Sequence, residues 1–528
     1  MCVVEVEGRP NLAPSCATPV TEGMKVITNS KRVQASRRKL LQLILSDHPL
    51  DCLACAKSTN CELQQLVWEF GINTQQYRGE RSSYPIDQAN GAIRRDPNKC
   101  IMCRRCETMC TEVQTVGALT GFGRGFNAIV APAEMQPLVC MYCGQCVSVC
   151  PTGALTEIEY IQETWSALFD PTKKVVVQVA PAVRVAIGEE FGLPPGQSVT
   201  GKMVAGLRRI GFDAVFDTTF GADLTIIEEG HEIIDRVMKN ENLPILTSCC
   251  PGWMNFLRYK FPNLLHSASS CKSPQQMMGA VSKTFYASQI GIDPANLVMI
   301  SVMPCIAKKY EVTLPINSSG QQRDVDYVLT TRELAKMFKE AGVDLREMPN
   351  EEFDDPLGKS TGAGVIFGAT GGVLEAALRT IYEEVTGQEL ADVNFTAVRG
   401  MIGVKEASIT LNGREIRVAV ASGLGNARQV LESINKGTAT YDVVEIMACP
   451  GGCINGGGQP YCQDRVETIK QRMQELYTLD EQYGIRKSHK NPAIQQLYQE
   501  FLGEPGSHKA HELLHVNHLS VKGGPDEK

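Results

Sequence analysis

Two stretches share one cysteine spacing: CIMCRRCETMC, with Cys100, Cys103, Cys106 and Cys110, and CMYCGQCVSVCP, with Cys140, Cys143, Cys146 and Cys150. Each is the C-x2-C-x2-C-x3-C run in which three close thiolates grip one 4Fe-4S cubane and the fourth cysteine reaches a second. On that rule Cys100, Cys103, Cys106 and Cys150 hold one cluster, and Cys140, Cys143, Cys146 and Cys110 hold the other. Zinc is the competing occupant of cysteine clusters, but two matched runs about forty residues apart are hard to explain by zinc. A proline follows Cys150 and not Cys110, a departure that leaves the ligand set intact.

Upstream, HPLDCLACAKSTNC supplies His48, Cys52, Cys55 and Cys61. One imidazole and three thiolates suit either a tetrahedral zinc or a 4Fe-4S cluster. Beside two ferredoxin-type clusters, an electron-carrying cluster is the preferred reading. Further on, TSCCPGW sets Cys249 and Cys250 side by side. Neighbouring side chains on an extended segment point to opposite sides, so one can face a cluster while the other faces something else.

Elements must position these groups. Residues 24 to 47 carry Leu40, Leu41, Ile44 and Leu45 at helical spacing, a helix that delivers His48 to its loop. A stretch rich in Arg, Ser, Asp, Asn, Gly and Pro at 80–98 marks a boundary. From about 174, strand-like runs alternate with helical ones: KVVVQVAPAV, LPILTSCC, NLVMISVMPC, VRVAVASGL and YDVVEIMACPGGC. This is an α/β pattern. Three runs end in cysteine, at Cys249-Cys250, Cys305 and Cys449, and sites in α/β folds lie at the carboxyl ends of strands. Three converging strand ends would build one metal site.

Two glycine-rich stretches resemble nucleotide motifs. GQSVTGKM places Met203 where a P-loop needs Ser or Thr, and GAGVIFGATGG (Gly362 to Gly372) misses the dinucleotide spacing, so close backbone packing is the better reading. The net charge of −7 and pI near 5.8 argue against nucleic acid as a partner. No apolar run is long enough to span a membrane and no signal core opens the chain, which points to the cytoplasm. Thirteen of the 20 cysteines lie in the first 150 residues and none from 151 to 248. In a reducing compartment that clustering favours metal over disulfides.

TSCCPGW, MPCIAKK (Met303 to Lys309) and MACPGGCINGGGQ (Met447 to Gln459), in this order, resemble the three signatures of the FeFe (iron-only) hydrogenases. The resemblance extends over nearly the whole chain, including the His/Cys3 and ferredoxin-like modules. It implies reversible interconversion of hydrogen gas with protons and electrons at an H-cluster. That cofactor is a 4Fe-4S cubane joined through a cysteine sulfur to a two-iron unit bearing carbon monoxide, cyanide and azadithiolate. Carried over by position, Cys250, Cys305, Cys449 and Cys453 hold the cubane, with Cys453 bridging to the two-iron unit. Lys308 bonds a cyanide, and Pro181, Ala182, Met303, Gln275, Phe367 and Met447 line the pocket. The resemblance makes Cys249 the proton donor, mostly protonated near neutral pH as a thiol of ordinary pKa is, and continues the route through Glu229, Ser269 and Glu232 toward Arg236.

The implied organisation is a remnant of a plant-type 2Fe-2S domain at 1–17, a His/Cys3 domain at 18–87, a ferredoxin-like α+β domain at 88–160 and an α/β catalytic domain at 161–528. Cys2 and Cys16 lack the other two ligands of a 2Fe-2S site, so three 4Fe-4S clusters are expected besides the H-cluster. Implied partners are a ferredoxin-like carrier, or NAD(P)- and flavin-binding subunits of a larger or electron-bifurcating complex, together with hydrogenase maturation proteins. Two further readings, a hydrogen sensor and a non-catalytic iron-sulfur assembly protein, fit less well. Cys249, Lys308 and the Glu229/Glu232 pair speak against the assembly role, and no sensory domain follows the catalytic one. Cys271 and Cys462 are left as buried thiols, and His508, His511, His515 and His518 as one face of a surface helix.

Overall fold

The computed structural model describes residues 1–132, 139–462 and 464–520. At the N-terminus the strand Val3–Val6 pairs antiparallel with Ala13–Pro14 on one side and Val26–Ile27 on the other. The following helix starts at Lys31, later than the periodicity predicts. Val26 and Ile27 are taken by the sheet, and the Ser30 hydroxyl caps the first turn by accepting from Val33 N. Helix Lys31–Asp47 buries Val33, Leu41 and Leu45 and ends with His48 as its C-cap.

The ferredoxin-like region has two short antiparallel pairs, Ile93–Arg95 with Leu155–Glu157 and Leu119–Phe122 with Ile129–Pro132. Helices Arg105–Thr108 and Gln145–Ser148 accompany them. Its small apolar core includes Ile93, Leu119, Val130, Val147 and Leu155, with cysteines packed against it.

The catalytic region is built on two four-stranded sheets. One is parallel throughout, in the order Tyr327–Thr330, Leu297–Met303, Lys174–Val179, Ala214–Asp217. Its strands are buried on both faces, which is why VVVQV shows no polar alternation. The second has Ile245–Thr247, Val443–Met447 and Arg414–Ser422 in parallel and Val404–Leu411 antiparallel at its edge. That last hairpin turns on Asn412-Gly413, both with positive φ, as a tight two-residue turn requires.

Helix Thr218–Lys239 runs through the region, packed against helices Pro274–Val281 and Gly372–Thr386. Asp217 caps it by accepting from Thr219 N, and Asn240 ends it in the left-handed conformation. Its first three turns are buried, which carries Glu228 and Glu229 into the protein. Gly364, Gly371 and Gly372 pack backbone against backbone, as expected: a Cβ on Gly372 would sit 1.8 Å from the Ile366 carbonyl oxygen. Among the described residues no helix is long and apolar enough to cross a membrane.

Candidate active site and electron path

Three strands, Ile245–Thr247 and Val443–Met447 from one sheet and Leu297–Met303 from the other, are each followed within a few residues by cysteine. Cys250 is the N-cap of helix Pro251–Lys260, with Pro251 in its first turn, so a thiolate there would face the positive end of the helix dipole. Its backbone N–H donates to Ser248 Oγ at 3.1 Å. Cys453 opens a turn of 3-10 helix after Gly451 and Gly452, both at positive φ; a Cβ on Gly452 would lie 2.6 Å from Thr370 N, so only glycine fits.

Cys250, Cys305 and Cys449 are buried and Cys453 is half-buried. Burial, reinforced by the neighbouring sulfurs, pushes the Cys305 thiol up to about 12 and Cys449 well above its ordinary value. Four sulfurs gathered where burial disfavours bare thiolates are suited to a cationic iron-sulfur core, which supplies the missing positive charge. The donor set therefore fits a cubane.

A cavity adjoins these sulfurs, lined by Pro181, Ala182, Gln275, Met303 and Phe367, with Cys249, Cys305, Lys308 and Cys453 on its wall. Met447 packs instead into the apolar core of the second sheet. The Lys308 ammonium donates to Glu311 Oε2 at 2.9 Å. Burial alone would lower its pKa, but Glu311 outweighs that and holds it above the ordinary value, so the lysine is charged. Glu311 also accepts from Ser273 Oγ (3.0 Å), Gln275 Nε2 (3.0 Å) and Gln276 Nε2 (3.3 Å). The sequence reading missed Glu311, although its place three residues after Lys308 on one helical turn was a signal.

Glu229 is buried, and burial, with Glu232 and Glu445 nearby, raises its pKa to about 7. The Ser269 and Thr247 hydroxyls adjoin its carboxyl group. Ser269 Oγ donates to Glu232 Oε2 at 3.0 Å, and Arg236 reaches Glu232 Oε1 at 2.5 Å and the carbonyl of Ala268 at 3.1 Å. Glu229, Ser269, Glu232 and Arg236 thus form one line toward half-exposed surface, while the step from Cys249 to Glu229 rests on position alone. Cys249 and Cys453 share one cavity wall, and the neighbouring Cys453 lowers the Cys249 pKa.

In the ferredoxin-like region the two predicted ligand sets line two separate cavities, Cys100, Cys103, Cys106 and Cys150 in one and Cys110, Cys140, Cys143 and Cys146 in the other. Backbone N–H groups point at the sulfurs, from Met102 to Cys100 (3.4 Å), Tyr142 to Cys140 (3.3 Å) and Ala118 to Cys110 (3.3 Å). The loops curl by left-handed residues, Met102 and Arg104 in one and Tyr142 and Gly144 in the other. The second loop presses on the catalytic region: a Cβ on Gly457 would lie 2.6 Å from Gly144 Cα, and one on Gly252 would lie 3.0 Å from the Met141 carbonyl oxygen. Gln145 Nε2 donates to the Asn455 carbonyl (2.9 Å) and Gln114 Nε2 to that of Ala448 (2.9 Å), joining the two regions.

At the other end, Glu62 N donates to the Pro151 carbonyl at 3.0 Å and Arg105 grips Glu62 through both carboxylate oxygens. This sets the module of Cys52, Cys55 and Cys61 beside Cys150. His48 Nδ1 is buried and has no hydrogen-bond partner among the described residues, the state of an imidazole nitrogen free to ligate a metal. Cys2 and Cys16 lie with their sulfurs 3.1 Å apart.

The C-terminal histidines depart from the single surface face expected of them. Helix His508–Leu514 stops before His515, whose ring turns inward, and His518 Nε2 meets the Ser269 carbonyl at 3.0 Å. Glu228 is what turns His515: the ring nitrogen Nε2 lies 2.9 Å from its carboxylate.

A site of buried thiols at strand ends, fed by a ferredoxin-like module, defines an iron-sulfur oxidoreductase. Residues 173–457 match the iron only hydrogenase large subunit, C-terminal domain, and 466–521 the iron hydrogenase small subunit. The chain belongs to the iron-only hydrogenases, enzymes of H2 oxidation and proton reduction at an H-cluster. Residues 37–76 match the NADH-ubiquinone oxidoreductase-G iron-sulfur binding region, 91–156 the NADH-quinone oxidoreductase subunit 3 ferredoxin-like domain, and 1–31 a 2Fe-2S iron-sulfur cluster binding domain. The chain is 57% identical to the NADP-reducing hydrogenase subunit HndD of Solidesulfovibrio fructosivorans, over 98% of this chain and 90% of that one. It is 39% identical to iron hydrogenase 1 of Clostridium pasteurianum, over 98% and 92%. A solved FeFe hydrogenase, HydA1 from Chlamydomonas reinhardtii, superposes with a TM-score of 0.61 at 46% identity, covering 68% of this chain and 98% of that one.

Proposed function

We propose that Cys250, Cys305, Cys449 and Cys453 hold the H-cluster cubane, with Cys453 bridging to the two-iron unit, and that Cys249, Glu229, Ser269, Glu232 and Arg236 carry protons between that unit and the surface. When bound, the two-iron unit supplies an open iron site and a basic bridging amine at which hydrogen is formed or split. The chain's own residues do the rest. Cys249, on the cavity wall, exchanges a proton with the bound group. Glu229, with a pKa of about 7, is half-protonated in neutral solution and can both give and take. Ser269 passes the proton to Glu232, which Arg236 holds in place. Lys308, charged and facing the cavity, anchors an anionic ligand of the iron, and Pro181, Ala182, Met303 and Phe367 keep water out. Gln275 lines the same cavity while bound to Glu311 and Ser301.

The observation that carries this reading is the hydrogen-bonded run Ser269, Glu232, Arg236, with the buried Glu229 carboxyl group beside Ser269 at its inner end. Infrared spectroscopy of protein produced with the hydrogenase maturation proteins tests it. Carbonyl and cyanide bands are expected; their absence after full maturation would sink the assignment.

Cys140, Cys143, Cys146 and Cys110 would hold the 4Fe-4S cluster nearest the catalytic thiols, Cys100, Cys103, Cys106 and Cys150 the next, and His48, Cys52, Cys55 and Cys61 an outer one, and these groups would supply one-electron transfer between the site and the surface. The later domains divide at 87 and 160, whereas the N-terminal unit runs past the boundary expected at 17, because Val26–Ile27 pairs with Val3–Val6 and the 2Fe-2S match extends over 1–31. The match of 1–31 to a 2Fe-2S domain supports an origin of that stretch in such a domain, while Cys2 and Cys16 supply two of the four ligands a 2Fe-2S cluster takes. The partner is a ferredoxin-like carrier or a set of NAD(P)- and flavin-binding subunits in the cytoplasm. The name of the relative HndD, an NADP-reducing hydrogenase subunit, supports the second. Hydrogen-dependent NADP reduction by a copurifying complex is the result that separates the two.

A further inference from the structure

Two side chains beside the proton route have no part in it, Cys271 and His515. The C-terminal stretch lies back along residues 270–272 as a short antiparallel pair in which Cys271 opposes His515. Lys272 N donates to the Leu514 carbonyl (2.8 Å) and Val516 N to that of Ser270 (2.7 Å). His515 has extended backbone (φ −116°, ψ 160°), which directs its ring away from the helix and toward Glu232. Cys271 Sγ is 3.9 Å from Glu232 Oε2 and 3.9 Å from His515 Nδ1, and ligand atoms of the three residues all lie within 4.8 Å of one another.

One thiol, one imidazole nitrogen and one carboxylate oxygen, completed by a water, is the donor set of a tetrahedral zinc. With bond lengths of roughly 2.0 to 2.3 Å, the edges of such a tetrahedron are about 3.3 to 3.8 Å, so small side-chain shifts close the set. The outer ring nitrogen is already prepared. His515 Nε2 lies 2.9 Å from Glu228 Oε2, and Glu228 stands one turn before Glu232 on the same helix, held by the Tyr498 hydroxyl and by Gly506 N (3.0 Å). A carboxylate behind the imidazole fixes the proton on Nε2 and leaves the Nδ1 lone pair facing Cys271, the arrangement that orients histidine ligands of metals. In the metal-free protein Ser270 Oγ, 2.8 Å away, donates to that lone pair.

We propose that Glu232, Cys271 and His515 bind a zinc-class divalent cation and that its binding closes the proton route at Glu232. The closure rests on the proton-route reading given above. On binding, the Cys271 thiol loses its proton to solvent, the Ser270 hydroxyl turns off Nδ1 and water fills the fourth position; nothing is oxidised or reduced. A Glu232 oxygen committed to the cation no longer accepts from Ser269. The thiolate and imidazole select zinc over magnesium or calcium. Arg236, 2.5 Å from Glu232, opposes the cation's charge and makes the ion exchangeable rather than structural.

The test uses anaerobic holoenzyme titrated with zinc chloride, read by hydrogen evolution from reduced viologen and by zinc K-edge X-ray absorption. A single zinc is expected, with one sulfur at about 2.3 Å and lighter ligands at about 2.0 to 2.1 Å. Turnover should fall about a hundredfold at saturation, the scale of a lost proton relay, and return with a chelator. Cys271→Ala should keep its zinc-free turnover and lose both the zinc–sulfur signal and the inhibition; Cys271→Ser, close in volume, is the second variant. Failure to bind zinc, or an unchanged zinc–sulfur signal in both variants, overturns the site. Cysteine-dependent zinc without inhibition overturns the closure. Normal zinc-free turnover in Glu232→Ala would instead sink the proton route itself.

Discussion

Replacing Glu229 by glutamine should produce two effects of opposite sign in one variant: a large loss of turnover, and a gain in stability above neutral pH. The side chain is 3% exposed, and burial, then the charges of Glu232 and Glu445, raise its pKa from 4.5 to about 7. At 1.36 kcal/mol per pKa unit, ionising it in the folded protein costs on the order of 3 kcal/mol. The unfolded carboxyl group loses its proton near 4.5 and the folded one near 7, so wild-type stability declines across that window and is level above it. Glutamine keeps the size and polarity but has no proton to lose, and the decline disappears. The same change removes a proton carrier, worth about 10²- to 10⁴-fold in rate. The assays are hydrogen evolution from reduced viologen and apparent melting temperature, each at pH 5 and pH 8, with infrared bands to show that the cofactor is retained. Wild-type hydrogen evolution should itself decline above pH 7 as Glu229 ionises. Near-normal turnover in the variant would refute the relay; a melting difference that is the same at both pH values would refute the raised pKa.

Cys249→Ser should keep the carbonyl and cyanide bands and lose most turnover, with a near-normal rate rejecting the thiol as proton donor. Gly457→Ala puts a methyl group 2.6 Å from Gly144 Cα and should cost about 1 to 3 kcal/mol of stability by overpacking. It should slow hydrogen evolution driven through the ferredoxin-like clusters more than isotope exchange, which needs no external electrons; equal slowing of both would count against the proposed wire. Glu311→Gln leaves Lys308 charged and buried with a neutral partner. It should destabilise by about 3 to 5 kcal/mol, read as a lowered melting temperature, and an unchanged value would show that Glu311 is dispensable to the lysine.

The strand runs of the catalytic region were legible because parallel strands buried on both faces read as continuous apolar stretches, and VVVQV and NLVMISVM do so. The division of eight cysteines between two cavities followed from spacing, since the fourth cysteine of each short run reaches across. What spacing could not show was contact between distant segments. Glu228 carries no signal in the sequence, because the groups that meet it, Tyr498 and His515, come from a stretch far along the chain. The four C-terminal histidines suggested a helical face, but the helix ends at Leu514 because the backbone turns to pair with residues 270–272. Met447 shares a motif with Cys449, yet its strand directs it into the core. Helix Lys31–Asp47 began late for a similar reason, its first apolar residues being claimed by a strand from elsewhere.

The contact between Gly144 and Gly457 and that between Gly252 and Met141 have a meaning for how this protein can change over evolutionary time. They are meetings of main chain with main chain at the point where the last cluster of the wire approaches the catalytic thiols. Any side chain added at Gly457 or Gly252 can only push the two regions apart, so substitution at these glycines changes their spacing in one direction alone. In the proposed wire, the driving force of the final electron step is open to adjustment up or down through the polar groups around each set of sulfurs, while its length can only grow.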